Sequence, residues 1–330
     1  MKKIVRKLVI IALAALTMIS AIGCSAGGDG PAEKITVRLG GLKGPTSIGM
    51  VKLLDDAEKG NTSNLYDFTM AGSADELTPL LLKGELDVLA APVNLGAVLY
   101  NKSEGAVQMA AINTLGIIYI VEKGGEEVTD MESLKGMTIY ATGKGSTPEY
   151  ALTYLLSQHG LTLGEDVLVE WMSEPTEIVA KMTAEDHTVA MLPQPYVTVA
   201  GTQVEGLKVA LDLTEEWNKL GVDSRFLTAG LIVRKAFAEE HAEEFKTFLD
   251  EYEASTEFVN SNVEEASALV EKYDIVKAPI AKKAIPECNI VCIRGDEMKT
   301  ATEGYLKVLN DLNPKSVGGK LPGEDFYYIK

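Results

Sequence analysis

Short apolar, β-favouring runs alternate along this chain with longer stretches whose apolar positions recur every three to four residues. The runs predict strands at 34–39, 66–70, 86–90, 107–112, 137–141, 167–171, 188–192 and 229–234. Turn residues separate them. Gly40-Gly41-Leu42-Lys43-Gly44-Pro45-Thr46 reads as a Gly-rich turn before a helix to about Lys59. After the turn Ala71-Gly72-Ser73, Ser73 and Glu76 have the spacing of a capping box, and Gly84 ends the helix they start. Ala91-Pro92-Val93-Asn94 is a further turn before a short helix. Thr129 and Glu132 suggest another capped turn. Ser146 and Glu149 repeat the capping-box spacing with Pro148 in the first turn, and Gly160 stops that helix after His159. One more helix follows Ser173. From Ala236 the chain is mostly helical, with amphipathic stretches at 239–259 and 296–309.

Strands alternating with helices of this length imply an α/β protein with mostly parallel sheets. Two such sets imply two lobes. The first takes residues 34–115 and is completed by 225–330; the second takes 116–224. Two crossings between them make a hinge, with a ligand cleft between the lobes.

The first residues set the compartment. Lys2, Lys3, Arg6 and Lys7 precede an apolar run at 8–22. A bilayer span needs roughly 20 apolar residues, so this run has the size of a signal peptide instead. It ends in Ala21-Ile22-Gly23-Cys24, which resembles a bacterial lipobox, although Leu is commoner than Ala at the position of Ala21. On that reading residues 1–23 are removed, Cys24 is lipidated, and 24–33 is a flexible tether rich in small residues. The other reading is an uncleaved membrane anchor with Cys24 a bystander. Either way the body lies outside the cytoplasm.

Charge narrows the partners. The chain carries −17, and removing the four cations before Cys24 gives −17 − 4 = −21. Such a body is a poor nucleic-acid partner, because phosphate neutralisation needs clustered Lys and Arg. Beyond Cys24 the cysteines are Cys288 and Cys292, read as two buried thiols rather than a bridge. His159, His187 and His241 are scattered, so neither a metal site nor a cofactor is expected. No catalytic set stands out: Gly-x-Ser-x-Gly and His-Glu-x-x-His are both missing from the sequence.

Ligands of open α/β sheets bind beyond the carboxyl ends of strands. Five turns occupy that place, at 40–46, 71–73, 91–94, 143–147 and 193–196. Helix N-termini there favour anionic or strongly dipolar groups. Thr46, Ser47, Ser73, Asn94, Ser146, Thr147 and Gln194 can add neutral hydrogen bonds, and Trp171, Tyr196 and Tyr140 flat apolar contact. Each has a plainer reading. Ser73 and Ser146 serve as helix caps, Trp171 as a core residue, and Arg225 pairs either a ligand anion or a surface acid. Gly143-Lys144-Gly145-Ser146-Thr147 lacks the spacing of a nucleotide phosphate loop.

With these residues located, the chain resembles the solute-binding lipoproteins of ABC importers. The resemblance is to the branch of aliphatic-sulfonate, taurine, nitrate and thiamine-pyrimidine binders. It is carried by Leu42-Lys43-Gly44-Pro45-Thr46, Ala71-Gly72-Ser73-Ala74-Asp75-Glu76, Gly84-Glu85-Leu86-Asp87-Val88-Leu89, Leu134-Lys135-Gly136-Met137-Thr138-Ile139-Tyr140, the 143–148 loop and Leu192-Pro193-Gln194-Pro195. It implies a two-lobed type II periplasmic-binding fold that closes over a small molecule. Ligand residues carried over are Pro45, Thr46, Gly72, Ser73, Pro92, Asn94, Ser146, Thr147 and Gln194, with Tyr196 from the same turn. The implied partners are an ABC permease and ATPase, with the protein a monomer held on the outer face of the membrane by its lipid. Many relatives carry Glu-Pro where this chain has Gln194-Pro195, which removes a negative charge and mildly favours a neutral or anionic ligand. An exported enzyme on the same fold class and a sensor module for a membrane receptor are the alternatives.

Overall fold

A computed structural model of the chain describes residues 34–125 and 127–329. The signal peptide, Cys24 and tether expected in 1–33 lie outside the described residues. The apolar runs assemble into two sheets, each with helices packed against it. The first sheet holds β1 (Thr36–Leu42), β2 (Leu65–Ala71), β3 (Val88–Pro92), β4 (Val107–Leu115), β10 (Leu227–Arg234) and β11 (Ile290–Ile293), in the order β11-β4-β10-β3-β1-β2. The second holds β5 (Ile118–Lys123), β6 (Thr138–Ala141), β7 (Leu168–Trp171), β8 (Thr188–Pro193) and β9 (Lys208–Asp212), in the order β7-β6-β8-β5-β9.

The sheets are mixed rather than mostly parallel. β1 runs parallel to β2 and β3, and β6 parallel to β7 and β8, each with a helix between successive strands. β10 instead lies antiparallel between β3 and β4, with Gly230 opposite both Ala91 and Ile112. β5 is antiparallel to β8 and β9. β5 follows β4 after two residues, with no helix to turn the chain back, so it enters its sheet reversed. β5, β9 and β11 were not among the expected strands. β5 is an apolar run that follows the first crossing, β11 is a four-residue edge strand between α12 and α13, and β9 is a half-exposed edge whose Val209 is half in solvent.

The helices are α1 (Pro45–Ile48), α2 (Val51–Glu58), α3 (Ala74–Lys83), α4 (Val93–Lys102), α5 (Thr147–Gln158), α6 (Pro175–Ala184), α7 (Tyr196–Gln203), α8 (Leu213–Lys219), α9 (Lys235–Glu240), α10 (Ala242–Ser261), α11 (Val263–Lys272), α12 (Ala278–Ala284) and α13 (Gly295–Leu312). No described helix is long and apolar enough to cross a membrane. The capping box at α3 forms: the Ser73 N–H donates to the Glu76 carboxylate at 3.2 Å, and Gly84 closes the helix with φ 78°. The box expected at α5 does not. Ser146 Oγ donates to Gly143 O at 2.8 Å, and the Glu149 carboxylate takes the Gly145 N–H at 2.5 Å. At 129–134 neither Thr129 nor Glu132 caps the turn; Asp130, one residue before the N-cap, accepts from Ser133 N at 2.8 Å ahead of a single 3-10 turn.

β1 runs three residues past the expected end, so the Gly-rich turn shrinks to Lys43–Gly44. Gly40 and Gly41 serve packing instead. A Cβ on Gly40 would stand 2.6 Å from Leu86 Cδ1, and one on Gly41 2.6 Å from Ser47 Oγ. Cys288 and Cys292 are both free thiols, but only Cys288 is buried; Cys292, on β11, is half-buried. Trp217 stacks on Phe226 at 5.4 Å and touches Tyr305 at 5.7 Å, an aromatic knot joining α8, the return crossing and α13. A second node is ionic. Asp87, 1% exposed, takes Arg38 Nε at 2.8 Å, Arg38 Nη2 at 2.6 Å and Arg234 Nη2 at 2.7 Å. It locks the start of β3 to both neighbouring strands.

Candidate functional site

Every anticipated loop leaves the carboxyl end of a strand. β1 ends at Leu42 before Pro45 and Thr46; β2 at Ala71 before Gly72 and Ser73; β3 at Pro92 before Asn94. In the second sheet β6 ends before Ser146 and Thr147, and β8 ends at Pro193 before Gln194 and Tyr196. Placement in this slot follows from local chemistry: a strand, a break at Gly or Pro, and the start of a helix.

The fold brings two of these residues together from opposite sheets. Thr147, the first residue of α5, and Asn94, the second of α4, are both fully buried, and Thr147 Oγ1 is 3.3 Å from Asn94 Oδ1. Thr147 Oγ1 also lies 3.4 Å from the carbonyl of Thr228 on β10. It has one proton and two acceptors, both across the seam. Asn94 is fixed from behind by Nδ2 donating to Ser316 O at 3.0 Å. A second seam contact involves Gly72: a Cβ there would stand 3.2 Å from Glu174 Oε1, at the start of α6. Glu174 also neighbours Tyr196, whose phenol is pushed above its ordinary value by burial and then by the Glu174 charge.

The remaining anticipated residues are committed locally. Thr46 Oγ1 and Ser47 Oγ both donate to Leu42 O, at 2.8 and 2.6 Å. Ser73 is engaged with Glu76 and Ser146 with Gly143, so the plainer capping role of Ser73 is realised. Gln194 Oε1 accepts from Thr198 Oγ1 at 2.9 Å, holding the first turn of α7. Pro45 and Pro92 shape the turns, Pro45 inside the first turn of α1 and Pro92 at the start of α4. Of the aromatic candidates, Trp171 packs on the core, and Tyr140 carries Lys181 Nζ over its ring at 4.4 Å. Arg225 pairs with Glu297 at 2.7 Å on the surface, as the plainer of its two readings has it.

Sequence reasoning missed three groups. Glu174 was legible in principle, since Ser173-Glu174-Pro175 fills the strand-end slot after β7. Asn113 supports the first loop by donating to Thr46 O at 3.3 Å. Thr228 comes from β10, where apolar neighbours hide it among core residues. The candidate site thus sets the neutral groups of Thr147 and Asn94 between the two sheets, with the Glu174 carboxylate beside Gly72.

A profile of the family described as NMT1/THI5 like matches residues 77–266, more than half of the chain. The chain belongs to the NMT1/THI5-like family. Among curated proteins no sequence matches it. The NMT1/THI5-like chain is similar in structure to an ABC transporter protein from Parabacteroides distasonis, at 23% identity and TM-score 0.72 over 89% of this chain and 99% of that one. It is similar to the periplasmic aliphatic sulphonate binding protein SsuA from Escherichia coli, at 19% identity and TM-score 0.70 over 89% and 92%. A more distant likeness is to the periplasmic nitrate-binding protein NrtA from Synechocystis PCC 6803, at 13% identity and TM-score 0.59 over 75% and 69%. At these identities the likeness shows the fold: this NMT1/THI5-like chain has the two-lobed α/β architecture of periplasmic binding proteins.

Proposed function

We propose that the protein is an extracytoplasmic solute-binding lipoprotein of an ABC importer. On this reading it is held to the membrane through Cys24, works as a monomer, and delivers a small organic solute to a permease and its ATPase. The observation that carries the reading is the Thr147–Asn94 contact, which sets strand-end loops of the two sheets face to face. A molecule bound there touches both lobes and stabilises the closed arrangement by its differential affinity. Sulfonates, other oxyanions and heteroaromatic vitamin precursors are the solutes to try, and the bound molecule leaves unchanged. The lipid raises the local concentration of the protein at the importer.

The test is a thermal-shift screen of residues 25–330 against sulfonates, nitrate, thiamine pyrimidines, flavins and aromatic acids. Ligand at 1,000 times its dissociation constant adds about 4 kcal/mol, worth several degrees in a body of this size. A shift with one class supports the reading. No shift from any compound, with native mass spectrometry showing an empty protein, counts against it. Turnover of the bound compound would move the protein to the enzyme alternative.

A further inference from the structure

Gly116 lies where the chain leaves the first sheet for the second, between β4 and β5. It is buried, and a Cβ there would stand 2.2 Å from Thr214 Oγ1 on α8 and 2.7 Å from Phe226 Cδ1 on the return crossing. Glycine is what lets the two crossings touch. It also sets the most permissive backbone at the junction of the sheets. That freedom is removed from outside. Asn289, the residue before β11, donates from Nδ2 to Gly116 O at 2.6 Å, and its own carbonyl accepts the Leu115 N–H at 3.1 Å. The next carbonyl, Ile117 O, accepts instead from Gln194 N at 3.0 Å, just past the end of β8 in the second sheet. A carbonyl turns only with its peptide plane. The plane after Gly116 is therefore held from the first sheet and the plane after Ile117 from the second, and only the two backbone torsions of Ile117 lie between them.

Asn289 stands in the left-handed region, with φ 43°. Gly, Asn and Asp enter that region more readily than other residues. Glycine has no side chain to reach Gly116, and an aspartate carboxylate has no proton to donate. Both demands meet in asparagine. The residue is exposed, so core packing gives no reason for its backbone or for its amide.

We propose that Asn289 is a positioning residue of the hinge: its amide clamps the Gly116 carbonyl, takes the glycine out of the motion, and confines the pivot between the sheets to Ile117. A segment outside the strand-end loops thereby sets how sharply the lobes are held relative to one another. The proposal rests on the solute-binding reading, for which closure about this crossing is the working motion. Its test uses no solute, so a failed solute screen and a failed clamp are separate results.

Spin labels at Asp75→Cys and Glu177→Cys report the gap. Both positions are exposed and lie in the first turns of α3 and α6, beside the Gly72–Glu174 contact. The full chain carries Cys24→Ser and Cys292→Ala in every sample. Double electron–electron resonance of the parent should concentrate its distances in one main component. Asn289→Gly keeps the backbone and deletes the amide. It should lower the ratio of that component to the remainder roughly two- to tenfold, the range that one hydrogen bond supplies. Asn289→Asp, which keeps the shape and loses the donor, should do the same. The control is Asp274→Gly, at another exposed residue with positive φ, 55°, beyond the end of α11. It should leave the distances alone, and Asn289→Gly should shift the thermal midpoint no more than this control does. The proposal is overturned if either Asn289 variant superimposes on the parent, if the parent's distances are already spread as widely as those of the variants, or if Asp274→Gly moves them as much.

Discussion

Thr147 Oγ1 lies 3.3 Å from Asn94 Oδ1, joining the first turn of a helix that follows one sheet to the first turn of a helix that follows the other. Both residues are fully buried, so whichever partner is removed leaves the other without water to replace it. Thr147→Val keeps the shape and deletes the donor. The bond is long, and Asn94 keeps its contact to Ser316, so the expected loss is near the low end for a buried acceptor, about 1 kcal/mol. Urea unfolding of the parent and the variant measures it. Equal stabilities would mean that the contact is not made in solution.

Two buried glycines of the first sheet make a paired prediction. A Cβ on Gly230 would meet Met109 Sδ at 2.6 Å and the backbone oxygen of Ala111 at 2.7 Å; a Cβ on Gly40 would meet only side-chain methyls of Leu86 and Leu89 within 3.4 Å. A methionine end and a leucine methyl can rotate away, but a carbonyl in a central strand pair cannot. Gly230→Ala should therefore cost at the upper part of the ~1–3 kcal/mol range for overpacking, and Gly40→Ala distinctly less. Thermal midpoints of the two variants, measured side by side, should fall in that order.

The same glycines show where sequence reading stops. Alternation of strand and helix was plain because each unit carries its own turn chemistry, as at Ser73 and Glu76, which cap α3 as their spacing requires. Gly40 and Gly41 read as a turn because glycine punctuates loops more often than it relieves crowding inside a strand. β10 was legible as a strand, but its insertion between β3 and β4 depends on a crossing that no local pattern encodes. The slots for Thr147 and Asn94 were visible at strand ends. Their partnership was not, since it depends on how the two sheets come together.

The thiols give a chemical prediction. Cys288 is buried, and burial pushes its pKa up, with the charge of Glu287 adding to the effect. Burial likewise pushes Cys292 up to about 12. Thiolate is the reactive form, so both should resist alkylation at neutral pH. Iodoacetamide treatment followed by mass spectrometry should leave the peptide containing them unmodified in the native protein and modify it fully in urea. Rapid native labelling of either residue would show that the α10–β11 packing opens readily.

The last prediction concerns acid. Burial alone would raise the Asp87 carboxyl, but hydrogen bonds from Arg38 and Arg234 outweigh it and hold the group below the usual carboxylate range. A carboxyl depressed in the folded state contributes stability that is fully present above its unfolded value near 4 and is lost as pH falls through the folded value. Asp55 behaves alike: burial opposes its ionisation, and Lys272 and Lys59 win. Stability should therefore be level from neutral pH down to about 4 with respect to these groups, then fall steeply. Asp87→Asn keeps the shape but leaves two arginines facing a neutral amide, and breaking a buried pair in this way costs about 3–5 kcal/mol at pH 7. Because the variant has no carboxylate to protonate at this node, its disadvantage should shrink as the parent is acidified. Urea midpoints of both proteins from pH 7 to pH 3 test this. Curves that stay parallel throughout would mean that Asp87 is protonated in parallel with its unfolded form and that the arginine node does not bind it as described.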